Sequence, residues 1–390
     1  MVQDVYAALG VKRRINAAGT LTRLGGALMD EEVVAAMAAA ARASVDIGEL
    51  QAAASRVISK HTSSEAGIVT TGAAAALTLA AAAAMTRWDI ARMAALPHAD
   101  GFPNEILLPR THHTSYAHAL RAAGARIVDL GHNDRGTGAG VRGIEAWEIE
   151  AAITPRTAAF AFAAHPGSTQ DLSTVVAVCR SKDIPVIVDA AAQLPPKSNL
   201  RKFFELGADL VAFSGGKAIG GPQASGILAG RRDLVGAALA QQLDMDVPPA
   251  TWTPPGLIDV QKMKGIPHHG LGRGFKAGKE EIVGLLVALE RFAAADDDAS
   301  NAALEKRLQR IAQDLGNGKI VSARETGRVP QLHLTVKKPV EVSRRLQTGE
   351  PPVHLSERYA AQGILIVDPQ ALRPEDDAAL VAALRSALRE

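Results

Sequence analysis

From about residue 50 onward, short apolar runs alternate with longer stretches of helical periodicity. The runs fall at 68–70, 105–108, 126–130, 158–163, 186–189, 210–213 and 226–229, and Gly, Pro, Asn or Asp bound most of them. The segment Ile184-Pro185-Val186-Ile187-Val188-Asp189 is apolar without strict alternation, which marks a strand covered on both faces. Strands separated by helices predict an α/β fold with a large, mostly parallel, doubly wound sheet. Ahead of it, residues 1–45 read as a polar turn segment followed by a helix over 30–43. Beyond it, the composition shifts to Pro, Gly and His over 248–274, a connecting segment expected to line a site. A helix over 279–294 then leads to strands at 331–336 and 363–367 and a last helix over 374–388, a smaller α/β domain. The expected division is 1–45 (packing with the small domain), 46–264 and 265–390.

The alanine-rich stretch 73–85 is the longest apolar segment. It is too short to span a bilayer, and Arg87 and Asp89 follow it closely, so it predicts a buried helix. At 390 residues the chain is long enough for two cores. A net charge of +2 with dispersed arginines argues against nucleic-acid or membrane partners. The single Cys179 forbids an intrachain disulfide; it fits a reducing, cytoplasmic setting and a small core position. The first residues lack the basic and apolar regions of a signal peptide.

Chemistry concentrates in three places. Ser214-Gly215-Gly216-Lys217 follows the 210–213 run, and Gly220 and Gly221 come just after. An isolated lysine is usually a solvated charge. Here glycines let backbone approach a bulky ligand, and an apolar strand lowers the local dielectric, which favours the neutral, nucleophilic amine. Such an amine can form a Schiff base with a carbonyl group. Asp189 ends its strand 28 residues before Lys217, at the edge where open α/β sheets bind ligands. A carboxylate there can pair with the protonated ring nitrogen of pyridoxal 5'-phosphate (PLP), or merely cap the next segment. Thr71-Gly72-Ala73 stands between the 68–70 strand and the alanine-rich helix. A helix start offers N–H groups and a positive dipole end to a phosphate, with Gly72 and Ala73 keeping the approach clear; Thr71 as an ordinary N-cap is the plainer alternative.

These blocks, together with Ile15-Asn16-Ala17-Ala18-Gly19-Thr20, Leu24-Gly25-Gly26 and the stretch from Gly272-Arg273-Gly274 to Lys279-Glu280-Glu281, resemble fold-type-I PLP-dependent enzymes of the selenocysteine-synthase-like group over nearly the whole chain. The resemblance is stronger toward the D-glucosaminate-6-phosphate ammonia-lyase branch. It implies Lys217 as the Schiff-base lysine, Asp189 as the ring-nitrogen partner and Ser214 as a phosphate ligand. It also implies His112 as the residue stacked on the cofactor ring. A metal reading of His112, His113 and His118 lacks acidic or cysteine ligands. His165, at another strand end, is a candidate for cofactor contact or for proton donation to a leaving group; a loop histidine satisfied by backbone is the alternative. Gln193 is a candidate for the ring oxygen, Arg273 for an anion in a neighbouring subunit's site, and Arg358 for the substrate carboxylate.

The function these residues imply is a PLP-dependent lyase that eliminates water and ammonia from a hydroxylated amino acid or amino-sugar acid, giving a 2-oxo acid. The enzyme is expected to be a homodimer or a larger homo-oligomer. Aldol cleavage, racemisation and transamination begin from the same carbanion or cofactor adduct and stay open. A selenocysteine-synthase-like transferase is disfavoured because the core motif at residue 15 leaves no room for an N-terminal tRNA-binding domain. A PLP-binding protein without turnover is disfavoured by the intact Lys217 and Asp189.

Overall fold

The computed structural model describes residues 5–133 and 143–389. Its described strands are, in chain order, β1 (Ile15–Ala17), β2 (Ala66–Thr70), β3 (Glu105–Pro109), β4 (Arg126–Leu130), β5 (Thr157–Ala163), β6 (Val186–Asp189), β7 (Leu210–Ser214), β8 (Gly226–Gly230), β9 (Lys319–Val321), β10 (Gln331–Thr335), β11 (Val353–Leu355) and β12 (Ile364–Val367). The chain forms two compact units, residues 29–293 and residues 1–28 with 294–390. The helices Glu31–Ala40 and Lys279–Ala294 therefore belong to the large unit rather than to the small one. Their apolar faces are the reason: Val33, Ile282, Leu285 and Leu289 are buried in the same core as Val69 and Phe213.

Seven strands build the large sheet in the order β2-β8-β7-β6-β5-β3-β4. All neighbours are parallel except β8, which runs antiparallel to both β2 and β7. Successive residues of β6 go to opposite faces, Ile187 into one core and Val186 and Val188 into the other, so the continuous apolar run is explained by two covered faces. The helix Gly72–Thr86 lies on one face, with Ala80, Ala81, Ala82 and Ala83 fully buried. Cys179 is buried on the helix Thr169–Ser181, and its thiol is pushed up to about 12 by burial and then by Asp209, so it has no nucleophilic character at neutral pH.

The small unit has its own core around Leu332, Leu334, Leu365 and Leu380. It contains the antiparallel sheet β12-β10-β9 and the parallel pair β1-β11. Bridges from Ala18 to Asp368 and from Ser356 to Ile366 tie these together.

Candidate active site

The carboxyl ends of β5, β6 and β7 bring the candidate residues of the large unit together. Asp189 closes β6, in register with Ala163 of β5 and Ala212 of β7. Its Oδ1 accepts the Ala191 N–H at 3.0 Å. Burial pushes its carboxyl above the usual range, while that hydrogen bond and the nearby Lys217 charge pull the other way. A cation beside Asp189, such as a protonated ring nitrogen, would reverse the effect of burial.

Lys217 sits in the turn that leads from β7 back into β8. Gly215 donates to the Ser225 carbonyl and accepts from Gly221, both at 2.9 Å. A Cβ on Gly215 would lie 2.2 Å from Ser225 Oγ, and one on Gly216 would lie 2.5 Å from the Gln223 Cα. The chain's own close packing by itself therefore requires these two glycines.

Because β8 is antiparallel, its first residue, Gly226, lies level with the last residues of both neighbours, Thr70 and Ser214. A Cβ at Gly226 would come within 2.3 Å of the Gly72 carbonyl carbon. Ser214 and the start of the Gly72–Thr86 helix are thus held one strand apart. No side chain caps that helix, and Thr71 makes no capping bond. Gly72 has φ +86, and a Cβ there would meet nothing within 4 Å. Uncapped N–H groups at a helix start suit a phosphate.

A small pocket adjoins Asp189 and is lined by His112, Thr114, Tyr116, Phe162 and Ala163. His112 is buried and meets the Phe162 ring edge-on, with centroids 4.4 Å apart, and the His165 ring at 5.6 Å. Burial, then His165, lowers its pKa to about 4. Its Nδ1 is buried without a hydrogen-bond partner. An orphaned ring nitrogen, a clear helix start and a carboxylate awaiting a cation fit a phosphorylated heterocycle such as PLP. Phe162 and Tyr116 were not singled out in the sequence, since an aromatic in or after an apolar strand reads as core.

The depressed pKa of His112 has a measurable result. The unfolded chain binds the extra proton below about 6.5 and the folded chain only below about 4. The neutral ring's stabilisation should be complete above the first value and fade as pH falls to the second, by roughly 3 kcal/mol at most. Chemical denaturation at pH 4.5 and 7 should show this loss in the wild type and a clearly smaller one in His112→Phe. Equal losses would contradict it.

The remaining candidates are placed as follows. His165 is exposed; its Nδ1–H donates to the Pro166 carbonyl at 2.9 Å, which leaves Nε2 as the basic nitrogen. Gln193 donates its side-chain amide to the Ala164 carbonyl at 2.7 Å, joining the segments that leave β5 and β6. Arg273 pairs with Asp244 at 2.8 Å and reaches the Gln242 carbonyl at 3.4 Å. Arg358 belongs to the small unit, its guanidinium 5.7 Å from the Tyr359 ring centre. His113 pairs with Asp129 at 2.5 Å and is not turned toward His112's neighbours. Among the described residues, the metal-capable grouping is instead Asp244, Asp246 and His269, all exposed, and Asp244 already holds Arg273.

A mostly parallel sheet with a lysine turn, a strand-end aspartate and a phosphate-ready helix start defines a fold-type-I PLP-dependent enzyme. Residues 37–317 match the aminotransferase class-V family, and the chain belongs to it. It is 30% identical to the D-glucosaminate-6-phosphate ammonia lyase of Salmonella typhimurium over 99% of this chain and 98% of the relative. It is 31% identical to a 5'-C-glycyluridine monooxygenase-decarboxylase of a Streptomyces species over 98% of this chain and 92% of the relative. A solved structure of D-glucosaminate-6-phosphate ammonia-lyase superposes with a TM-score of 0.81, at 30% identity, covering 100% of this chain and 99% of the other.

Proposed function

We propose that this enzyme removes water and ammonia from a hydroxylated amino acid or amino-sugar acid of the D-glucosaminate 6-phosphate kind, yielding a 2-oxo acid. The observation that carries the reading is the full-length structural likeness to that ammonia-lyase. PLP, when bound, supplies the electron sink that makes the α-carbon acidic. In this reading Asp189 holds the proton on the ring nitrogen. The N–H groups at the start of the Gly72–Thr86 helix, with Thr71, Gly72, Ala73 and Ser214, hold the phosphate. His112 packs against the ring and, neutral at working pH, adds no competing charge.

The Lys217 amine takes the proton from the substrate α-carbon. His165, once protonated at Nε2, delivers that proton to the departing β-hydroxyl, which leaves as water. The released enamine hydrolyses to the 2-oxo acid and ammonia, so the water lost in elimination is regained and ammonia is the net loss. The test is a screen of D- and L-hydroxy amino acids and amino-sugar acids, phosphorylated and not, for ammonia and 2-oxo acid formed one to one. Oxygen uptake with carbon dioxide release and no 2-oxo acid would replace this reading with that of the Streptomyces relative.

The enzyme works as a homodimer or larger homo-oligomer in the cytoplasm, Arg273 serves an anion in the neighbouring site, and Arg358 takes the substrate carboxylate. Glycines flank Arg273, and the Asp244 contact is partly exposed and so exchangeable. Mixing inactive Lys217→Ala with inactive Arg273→Ala subunits should restore activity through mixed oligomers with one intact site. Absence of recovery despite proven subunit exchange would assign Arg273 to its own chain.

A further inference from the structure

Two glutamines of the large unit are buried beside the site and have no part in the proposed reaction. Gln51, on the helix Ile47–Thr62, is 1% exposed, and Gln242, the last residue of the helix Arg232–Gln242, is 4% exposed. β2 pairs with β8 and stands at the edge of the large sheet. On its other side, side chains take the place of a further strand. Ser55 Oγ accepts the Gly67 N–H at 3.0 Å. Gln51 Oε1 accepts the Val69 N–H at 2.9 Å, and Gln51 Nε2 donates to the Val69 carbonyl at 2.8 Å. A carboxamide offers a donor and an acceptor side by side, as a strand neighbour does.

Gln242 carries the connection further. Its Oε1 accepts from Gln51 Nε2 at 3.3 Å. Its Nε2 donates to the Val69 carbonyl at 3.2 Å and to the Phe275 carbonyl at 2.9 Å. Its backbone carbonyl accepts from Arg273 Nη1 at 3.4 Å. Turning either amide over would set oxygen against oxygen, so the network has one orientation. Both of its ends lead to the site. Just beyond Val69 and Thr70 come Thr71 and the helix start at Gly72. The segment Leu271–Phe275, which carries Arg273, packs on that same helix: a Cβ on Gly272 would lie 2.7 Å from Leu79 Cδ2 and 2.8 Å from the Gln241 carbonyl oxygen.

We infer that Gln51 and Gln242 are positioning residues, which act through Val69 and Phe275 to hold the helix start at Thr71–Ala73 and the Arg273 segment in one fixed relation. This role rests on the reading of Thr71–Ala73 as the holder of the PLP phosphate, and not on the lyase reaction. Without the two amides, the Val69 end of β2 loses its outer partners and the helix start drifts from the phosphate. Asp189 and Lys217 keep their own supports, the pairing of β6 with β7 and the turn closed by Gly215 and Ser225.

The test compares PLP with pyridoxal, which has the same ring and aldehyde and lacks the phosphate. Each is titrated into the full-length chain, and binding is followed by the absorbance of the ligand. Gln51→Met and Gln242→Met, of matching side-chain length and unable to donate, should each weaken PLP binding by about tenfold and leave pyridoxal within about twofold of wild type. Ser55→Ala, which breaks a bond on the same strand edge farther from the helix start, should leave the preference for PLP unchanged. Equal weakening of both ligands, unchanged PLP affinity in the glutamine variants, or the same PLP-selective loss in Ser55→Ala overturns the inference. If the glutamine variants do not fold, amide hydrogen exchange of the wild type decides. PLP, more than pyridoxal, should slow exchange over residues 67–75 and 270–276 together, and slowing confined to 67–75 overturns the inference. A wild type that binds PLP no more tightly than pyridoxal would sink the phosphate reading itself, and this role with it.

Discussion

Lys217→Ala is expected to abolish turnover and, separately, the borohydride-stable attachment of PLP to the protein. The proposed function gives the lysine two duties that alanine cannot share, covalent capture of the cofactor and transfer of the α-proton. Loss of a positioned acid–base group alone slows reactions by roughly 10²–10⁴-fold. The turn should survive, because Gly215 and Gly216 remain packed against Gln223 and Ser225. The measurement is peptide mapping after borohydride treatment, alongside steady-state kinetics. A small added amine should recover part of the proton transfer but none of the covalent link. Cofactor fixed to a different lysine, or near-normal rates in the variant, would refute the assignment.

Asp189→Asn should give the second largest loss. The asparagine keeps the shape and the bond from Ala191 but removes the negative charge that would hold a proton on the ring nitrogen. Burial already disfavours the Asp189 carboxylate, so its ionised form depends on nearby positive charge. Removing one member of a buried charged pair costs roughly 2–5 kcal/mol, or about 30- to 5,000-fold. The loss should appear mainly in kcat for the Asn variant. Asp189→Ala should also bind PLP more weakly. Wild-type kcat in Asp189→Asn would rule out the ring-nitrogen role.

Much of the large unit was legible because most of its strands are covered on both faces; β4, with Arg126 and Asp129 exposed, is the exception. The runs at 126–130 and 186–189 and the helix over 279–294 have the bounds expected, since each ends where polarity or a helix breaker changes abruptly. Strands β1, β9 and β11 were not legible: each has three residues, too few to show any period. Nor does an apolar run state its direction, so the antiparallel course of β8 emerges only from the sheet. The site candidates were legible as an order along the chain. Their local partners were not. Gln193 turns to a backbone carbonyl 29 residues away and Arg273 to an aspartate 29 residues away, contacts made by folding rather than by spacing. Glycines 215 and 216 read as room for a ligand, and the close packing of Ser225 and Gln223 on them was not legible.

The helix that starts beside Gly72 reverses the usual mutational arithmetic of a protein interior. Cores built of Leu and Phe are harmed mostly by truncation, because removed atoms leave cavities. Ala80, Ala81, Ala82 and Ala83 have almost nothing to remove, and they let the helix lie close on the sheet. Enlarging any of them forces the backbone outward, at about 1–3 kcal/mol for the added volume. The outward shift would carry the helix start with it and move the N–H groups that Gly226 fixes beside Ser214. Along this segment an upper limit on side-chain volume therefore decides which substitutions leave the helix start in place.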